Sequence, residues 1–210
     1  MKKFILFGSF LLLLGAALQA KQYGLEKAQI YYAIRADGSI AVTCDLSYWF
    51  SGSFSTAWIT LPMKDFIVTR PEVSELSGQE EIPYRFQRET PEMTPSTFDF
   101  TQDGRQYRLS WFYRATDTKK TFRLRYEILK GLTVYEDIAE FYFKVWGADW
   151  EINLPALWVE VSLPSLIKAK EEVSYWLHPQ IEGQIGISRD FQKIIAYAGN
   201  IRAGQWVEVR

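Results

Sequence analysis

The chain contains 210 residues with 24 basic and 25 acidic side chains, which give a formal net charge of −1. This near balance argues against a protein that binds nucleic acid or anionic lipid, because such proteins carry an excess of Lys and Arg. Cys44 is the single cysteine, so no intrachain disulfide can form and the fold depends on its core. The length suits one domain, and the aromatic content of 16% favours half-buried β-strands.

The first twenty residues predict a signal peptide. Lys2 and Lys3 form a basic start, residues 4–18 are almost entirely apolar, and Ala20 places a small residue at the cleavage position. The apolar run is shorter than the roughly 20 residues that a membrane-spanning helix needs. We therefore expect cleavage after Ala20, with residues 21–210 exported as a single domain to the periplasm, the outer face of the membrane or the medium. An uncleaved anchor is the alternative.

Two hairpins stand out after the leader. Residues 30–50 alternate between apolar and polar positions on either side of an Asp-Gly pair at 37–38, which supplies the positive φ angles of a tight turn. Residues 97–113 repeat the pattern around an Asp-Gly pair at 103–104. The predicted strands cover residues 30–35, 40–50, 57–61, 66–70, 82–88, 97–101, 106–113, 121–129, 140–145, 157–163, 173–177, 185–188, 194–198 and 205–210.

Short, regularly spaced strands separated by Gly, Pro and Asp turns predict an all-β fold. The specific expectation is an antiparallel two-sheet β-sandwich with an immunoglobulin-like or related topology. Residues 165–172 are the best candidate for a helix, and residues 89–96, with two prolines, for a loop. The predicted core residues are Val42, Leu46, Leu109, Trp111, Leu124 and Tyr126.

An acidic cluster is the first candidate site. Glu136, Asp137 and Glu140 lie within five residues at a predicted turn. Such acids are usually a solvated surface, although a pair of carboxylates can serve glycoside hydrolysis. Together with Asp149 they could also offer oxygen ligands to calcium, but their spacing matches no known calcium loop.

Two tryptophans in a Trp-Gly-x-x-Trp turn are the second candidate site. Trp146 and Trp150 flank Asp149 and could stack on a sugar, or they could close one end of the sandwich. We expect the packing role. Cys44 alternates with apolar residues and predicts a buried thiol. His178 is the only histidine, and no metal site, cofactor site or catalytic triad is indicated around it.

Several segments resemble one family. Residues 135–150 combine acids, an aromatic run and the Trp-Gly-x-x-Trp turn, and they lead into an alternating strand at 157–164 that ends in proline. Residues 36–43 and 203–209 are similar to the family's opening hairpin and last strand. Together they resemble the N-terminal extracytoplasmic domain of the YciQ-like predicted membrane proteins, domain of unknown function 2207. The resemblance implies an exported β-domain followed by a transmembrane segment, in a family with no assigned activity.

The expected function is a non-catalytic binding or interaction module at the cell envelope. Its partner is an unknown envelope protein or a glycan, with no nucleic acid and no cofactor. One alternative is a carbohydrate-binding or carbohydrate-processing domain that uses the region of Trp146 and Trp150. Another is an assembly subunit that pairs through exposed sheet edges.

Overall fold

The computed structural model describes residues 20–62, 66–88, 94–104, 106–164, 167–179 and 182–210. These residues form β-strands and one 3-10 helical turn, Lys170–Glu172. The strands are β1 (Gln22–Ile34), β2 (Ile40–Ser51), β3 (Ser53–Pro62), β4 (Ile67–Ser77), β5 (Glu80–Pro83), β6 (Arg85–Phe86), β7 (Thr97–Asp103), β8 (Gln106–Thr116), β9 (Lys119–Leu129), β10 (Leu132–Val134), β11 (Ala139–Phe141), β12 (Phe143–Trp146), β13 (Leu154–Ser162), β14 (Leu177–His178), β15 (Gly183–Ile187), β16 (Lys193–Ile201) and β17 (Val207–Val209). No helix in this described part is long and apolar enough to cross a membrane.

An eight-stranded sheet forms the larger layer, in the order β15-β16-β13-β1-β2-β9-β4-β5. β1 and β2 form a hairpin along their whole length, and Gly38 in the turn has a φ of 79°. Successive side chains of a strand point to opposite faces. Every second residue of β2, from Ile40 to Phe50, is buried and faces the second layer.

The centre of this sheet contains a parallel pair. β1 runs antiparallel to β2 on one side and parallel to β13 on the other, with Ile30 opposite Val159. The prediction of an entirely antiparallel sandwich is therefore wrong at this position. The pairing joins strands far apart in sequence, and a parallel neighbour requires a long crossover connection rather than a tight turn.

Two smaller sheets and a short hairpin make up the second layer. The four-stranded sheet has the order β3-β8-β7-β6, the three-stranded sheet has the order β12-β17-β14, and β10 pairs with β11. Phe122 of β9 contacts Tyr113 of β8, with ring centroids 4.7 Å apart. Tyr32 of β1 contacts Phe143 of β12 at 5.9 Å. Each small sheet thus packs separately on the large one.

Two adjacent turns carry the chain between the layers. Gly52, with a φ of 86°, connects β2 of the large sheet to β3 of the four-stranded sheet. Asp117, with a φ of 47°, connects β8 back to β9. The Gly52 amide donates to Asp117 Oδ1 at 2.7 Å. This hydrogen bond ties the two crossings together.

The all-β class, both Asp-Gly hairpins and the six predicted core residues are confirmed. The two-sheet immunoglobulin-like topology is not confirmed, because the described strands lie in four hydrogen-bonded sheets. The strand predicted at 173–177 is present only as Leu177–His178, and the helix candidate contains only Lys170–Glu172. Residues 165–166 of that candidate, residues 89–93 of the predicted loop and residues 1–19 of the leader lie outside the described residues.

Candidate functional site

A groove separates the two small sheets of the second layer. It contains a cavity of about 560 Å³ and an adjoining cavity of about 290 Å³. The larger cavity lies between residues 54–60 and residues 147–152, and the smaller lies between residues 59–61 and residues 144–150. From the larger cavity to the smaller one, residue numbers rise along β3 and fall along the segment 144–152. The two segments therefore run antiparallel across the gap.

The floor of the groove belongs to the hydrophobic core of the large sheet. Tyr48 and Phe50 of β2 line the larger cavity, and both are nearly inaccessible, at 3% and 5% exposure. Their rings stack with centroids 5.7 Å apart. Cys44 lines the smaller cavity, and burial raises the pKa of its thiol to about 12. The thiol therefore stays protonated at neutral pH, in agreement with the buried thiol that the sequence predicted.

One wall is formed by β3, the edge strand of the four-stranded sheet. β8 pairs with one side of β3, and among the described residues no strand pairs with the other side. Trp58 lines the larger cavity with 53% of its surface exposed, and the Arg108 guanidinium lies over its ring at 4.7 Å. The Thr56 carbonyl accepts a hydrogen bond from the Tyr113 hydroxyl at 3.3 Å. This wall presents an aromatic side chain beside a strand edge.

The other wall contains the Trp-Gly-x-x-Trp turn. The rings of Trp146 and Trp150 are stacked, with centroids 4.4 Å apart and an interplanar angle of 8°. Trp146 is only 3% exposed, whereas Trp150 is partly buried against the core. The packing role predicted for these tryptophans agrees with this geometry. Asp149 lines both cavities and Glu151 lines the larger one, so the wall also presents carboxylates.

The predicted acidic cluster lies at a different place. Glu136 and Asp137 are exposed in the turn between β10 and β11. Glu140 forms an ion pair with Arg210. Within the described residues, no group of three or more His, Cys, Asp or Glu side chains could hold a metal ion. The six candidate residues therefore divide, with Trp146, Asp149 and Trp150 in the groove and the three acids outside it.

Sequence reasoning missed the β3 wall. The sequence predicted a strand at residues 57–61, but its pattern does not indicate that this strand lies at a sheet edge. Trp58 was the available signal, because it is a large aromatic residue flanked by small and apolar ones. Its position beside 147–152 depends on the packing of two separate sheets on a third.

A network of ion pairs covers part of the outer face of the large sheet. Arg123 donates two hydrogen bonds of 2.7 Å to the Asp45 carboxylate, from Nε and Nη2. Glu81 accepts from Arg125, Arg123 and the Ser74 hydroxyl. These hydrogen bonds, that of Arg125 first, lower the pKa of Glu81 to about 2. The network joins β2, β9, β4 and β5 and has a structural role.

Residues 24–210 match the sequence model of the N-terminal domain of a family described as predicted membrane protein, DUF2207. The chain therefore belongs to this family, as its motifs predicted. No curated protein matches the chain.

Among solved structures, the chain is similar to a crystal structure described as "a putative protease from Parabacteroides distasonis". The TM-score is 0.50 with 9% sequence identity, and the match covers 89% of this chain and 40% of the other. The chain thus spans less than half of that protein. At this identity the likeness shows the fold alone.

Proposed function

We propose that this chain is a non-catalytic binding module that lies outside the cytoplasm, and that its groove holds the ligand. The groove carries the proposal, because it is a cleft between the edge strand β3 and the segment 144–152, with the buried side chains of Tyr48 and Phe50 on its floor. Its larger cavity falls within the roughly 300–1,000 Å³ typical of ligand sites. Membership in a predicted membrane protein family and the basic, apolar leader support a position at the envelope. A transmembrane segment that follows this domain would tether it to the membrane.

The composition of the groove favours binding over catalysis. Acid–base chemistry needs a titratable group near neutrality and a partner within hydrogen-bond reach. The histidine of the chain, His178, is not among the lining residues, and the Cys44 thiol is protonated at neutral pH. Asp149 and Glu151 lie on the same wall, two residues apart. A bond placed in the groove would therefore meet carboxylates from one side only.

Site-specific photo-crosslinking in the producing cell tests this function. The photoreactive amino acid p-benzoylphenylalanine replaces Trp58, which is exposed in the groove, or Trp176, which is 47% exposed and lines neither cavity. We expect a discrete adduct in the envelope fraction from position 58 and none from position 176. Equal or absent crosslinking at the two positions would contradict a binding role for the groove.

A carbohydrate ligand is the second candidate. The observation in its favour is the combination of Trp58, Trp150 and two carboxylates along one cavity, because sugars pair an apolar face with hydroxyl groups. A glycan array probed with the exported chain tests it. Binding of a defined glycan that is lost in a Trp58→Ala variant, with unchanged stability, would favour this candidate.

A further inference from the structure

We propose that the occupant of the groove is an extended polypeptide segment that pairs as an added strand with β3 along residues 57–61, on the side where no described strand lies, and that carries a basic residue opposite Asp149 and Glu151. This inference rests on the proposed binding function and specifies the class of partner. It follows from the backbone of β3, the space beside Gly147 and the charge of the 147–152 wall.

The β3 edge is long and uncharged for an edge strand. Sheet edges are normally kept from pairing by short length, charged side chains or coverage. β5, β6 and β15, at other sheet edges, contain four, two and five residues. β3 contains ten residues, SFSTAWITLP, and none of them is charged. Its pairing irregularity is confined to Phe54–Thr56, so the rest of the strand presents a regular row of backbone donors and acceptors.

The opposite wall leaves room for a backbone. A Cβ added at Gly147 would meet the Asp149 amide nitrogen at 3.9 Å, an ordinary van der Waals distance. Gly147 is also absent from the glycines with positive φ. Neither packing nor backbone conformation in the described part of the chain therefore requires glycine here. Gly147 lines both cavities, where a missing side chain permits close approach of another backbone.

The charge of the larger cavity indicates a basic residue in the partner, because its charged lining residues are Asp149 and Glu151, whereas Lys144 lines only the smaller cavity. Asp149 and Glu151 form no ion pair with any described residue. Both line the larger cavity, across from residues 54–60 of β3. A Lys or Arg of the bound segment would meet these carboxylates at the rim, while its alternate apolar residues face Tyr48 and Phe50 on the floor. This combination of main-chain pairing and side-chain pockets is characteristic of strand addition.

The shape of the groove disfavours a second folded copy. A copy that offered its own β3 would bring its own 147–152 wall, because the two walls face each other across the gap. A single extended segment has no such attached wall. The groove follows residues 54–61, which corresponds to about 25 Å at roughly 3.3 Å per residue. It therefore accepts about seven or eight residues in extended conformation.

Selection from a phage-displayed library of random linear dodecapeptides tests the proposal, with the exported chain as target. We expect the selected peptides to carry apolar residues at every second position and to share a Lys or Arg at one fixed position. Methylation of single backbone nitrogens in one selected peptide should weaken binding at alternate positions, by about 3- to 10-fold each. Methylation at the intervening positions should leave binding unchanged. A selection without a common pattern, or a methylation scan without alternation, overturns the proposal.

Matched variants locate the binding. Gly147→Val should weaken the selected peptide at least tenfold, whereas Gly186→Val, at another glycine with open space and no positive φ, should not. The double variant Asp149→Lys, Glu151→Lys should weaken binding of that peptide and should restore binding of a peptide whose basic residue is exchanged for Glu. The double variant Glu136→Lys, Asp137→Lys is the control, because these two acids lie outside the groove. If Gly147→Val leaves the affinity for the selected peptide unchanged, the proposal is overturned.

The photo-crosslinking experiment separates this inference from the binding function. A crosslink at position 58 to a glycan or to a second copy of the chain, with no peptide selected, would leave the binding module in place and refute the polypeptide occupant. Light scattering on the exported chain identifies the second copy. Absence of both crosslink and peptide would refute both proposals.

Discussion

Replacing Trp150 with alanine should destabilise the domain by about 2–3 kcal/mol. The ring of Trp150 stacks on Trp146 at a centroid distance of 4.4 Å, and such pairs contribute about 0.5–1.5 kcal/mol beyond the area they bury. Trp150 is only partly buried, so the cavity left behind opens to the groove and costs less than a closed one. Trp146 is 3% exposed, and its truncation should therefore cost about 3–5 kcal/mol.

Urea unfolding of the exported chain, followed by far-ultraviolet circular dichroism, measures these changes in the free energy of unfolding. A double-mutant cycle on Trp146 and Trp150 should give a coupling of about 0.5–1.5 kcal/mol. Trp176→Ala is the control, because this side chain is 47% exposed; its loss should cost about 1 kcal/mol or less. If Trp150→Ala stays within about 0.5 kcal/mol of the parent, the packing role assigned to the turn is wrong.

Three further predictions concern other parts of the chain. The pKa of Glu81 in the folded state is lowered to about 2, whereas an unperturbed glutamate has a pKa of about 4.3. The ionised Glu81 side chain therefore stabilises the fold above about pH 4.3, and this stabilisation is lost as the pH falls towards 2. Glu81→Gln should therefore lower the free energy of unfolding at pH 7 by about 0.5–1 kcal/mol. The free energies of unfolding of variant and parent, measured by urea titration, should become equal near pH 2, and a difference that stays constant with pH would contradict this. Asp117→Ala should cost about 1–2 kcal/mol, because it removes the acceptor of the Gly52 amide and leaves alanine at a positive φ. Asp117→Asn, which tolerates that φ, should cost less in the same assay. Intact mass of the exported chain should lack residues 1–20, and a mass that retains them would show an uncleaved leader.

The parts of the fold that were predictable from sequence depend on local chemistry. The Asp-Gly pairs at 37–38 and 103–104 allow the backbone angles of a tight turn, and each lies between two alternating segments. The alternation of β2 identified its buried face, because side chains on one face recur at every second residue. The packing role expected for Trp146 rested on its place in the Trp-Gly-x-x-Trp turn. None of these inferences required knowledge of the sheet order.

The parts that were not predictable depend on contacts between distant segments. Alternation shows which residues of β13 are buried, but not that β13 lies parallel to β1, since their paired residues are more than a hundred positions apart. The same limit applies to β3 and the 147–152 wall. Proximity in sequence suggested that Glu136, Asp137 and Glu140 could join Asp149, but the β10–β11 hairpin holds these three acids in a separate sheet. Long-range packing decides such groupings.

The groove combines a floor that belongs to the core with walls formed by the edge strand β3 and the segment 144–152. Phe50 lines the cavity and also contacts Tyr113 of the second layer, with ring centroids 5.6 Å apart. A change in the floor should therefore affect folding and, under the proposed function, binding as well. Trp58 lies on the edge strand β3, and Gly147 and Asp149 lie in the turn after β12, outside the hydrophobic core, so changes there should affect the cleft more than the core. Under the proposed function, the floor keeps the cleft in shape and the walls set specificity, so variants of the walls are the ones that can separate function from stability.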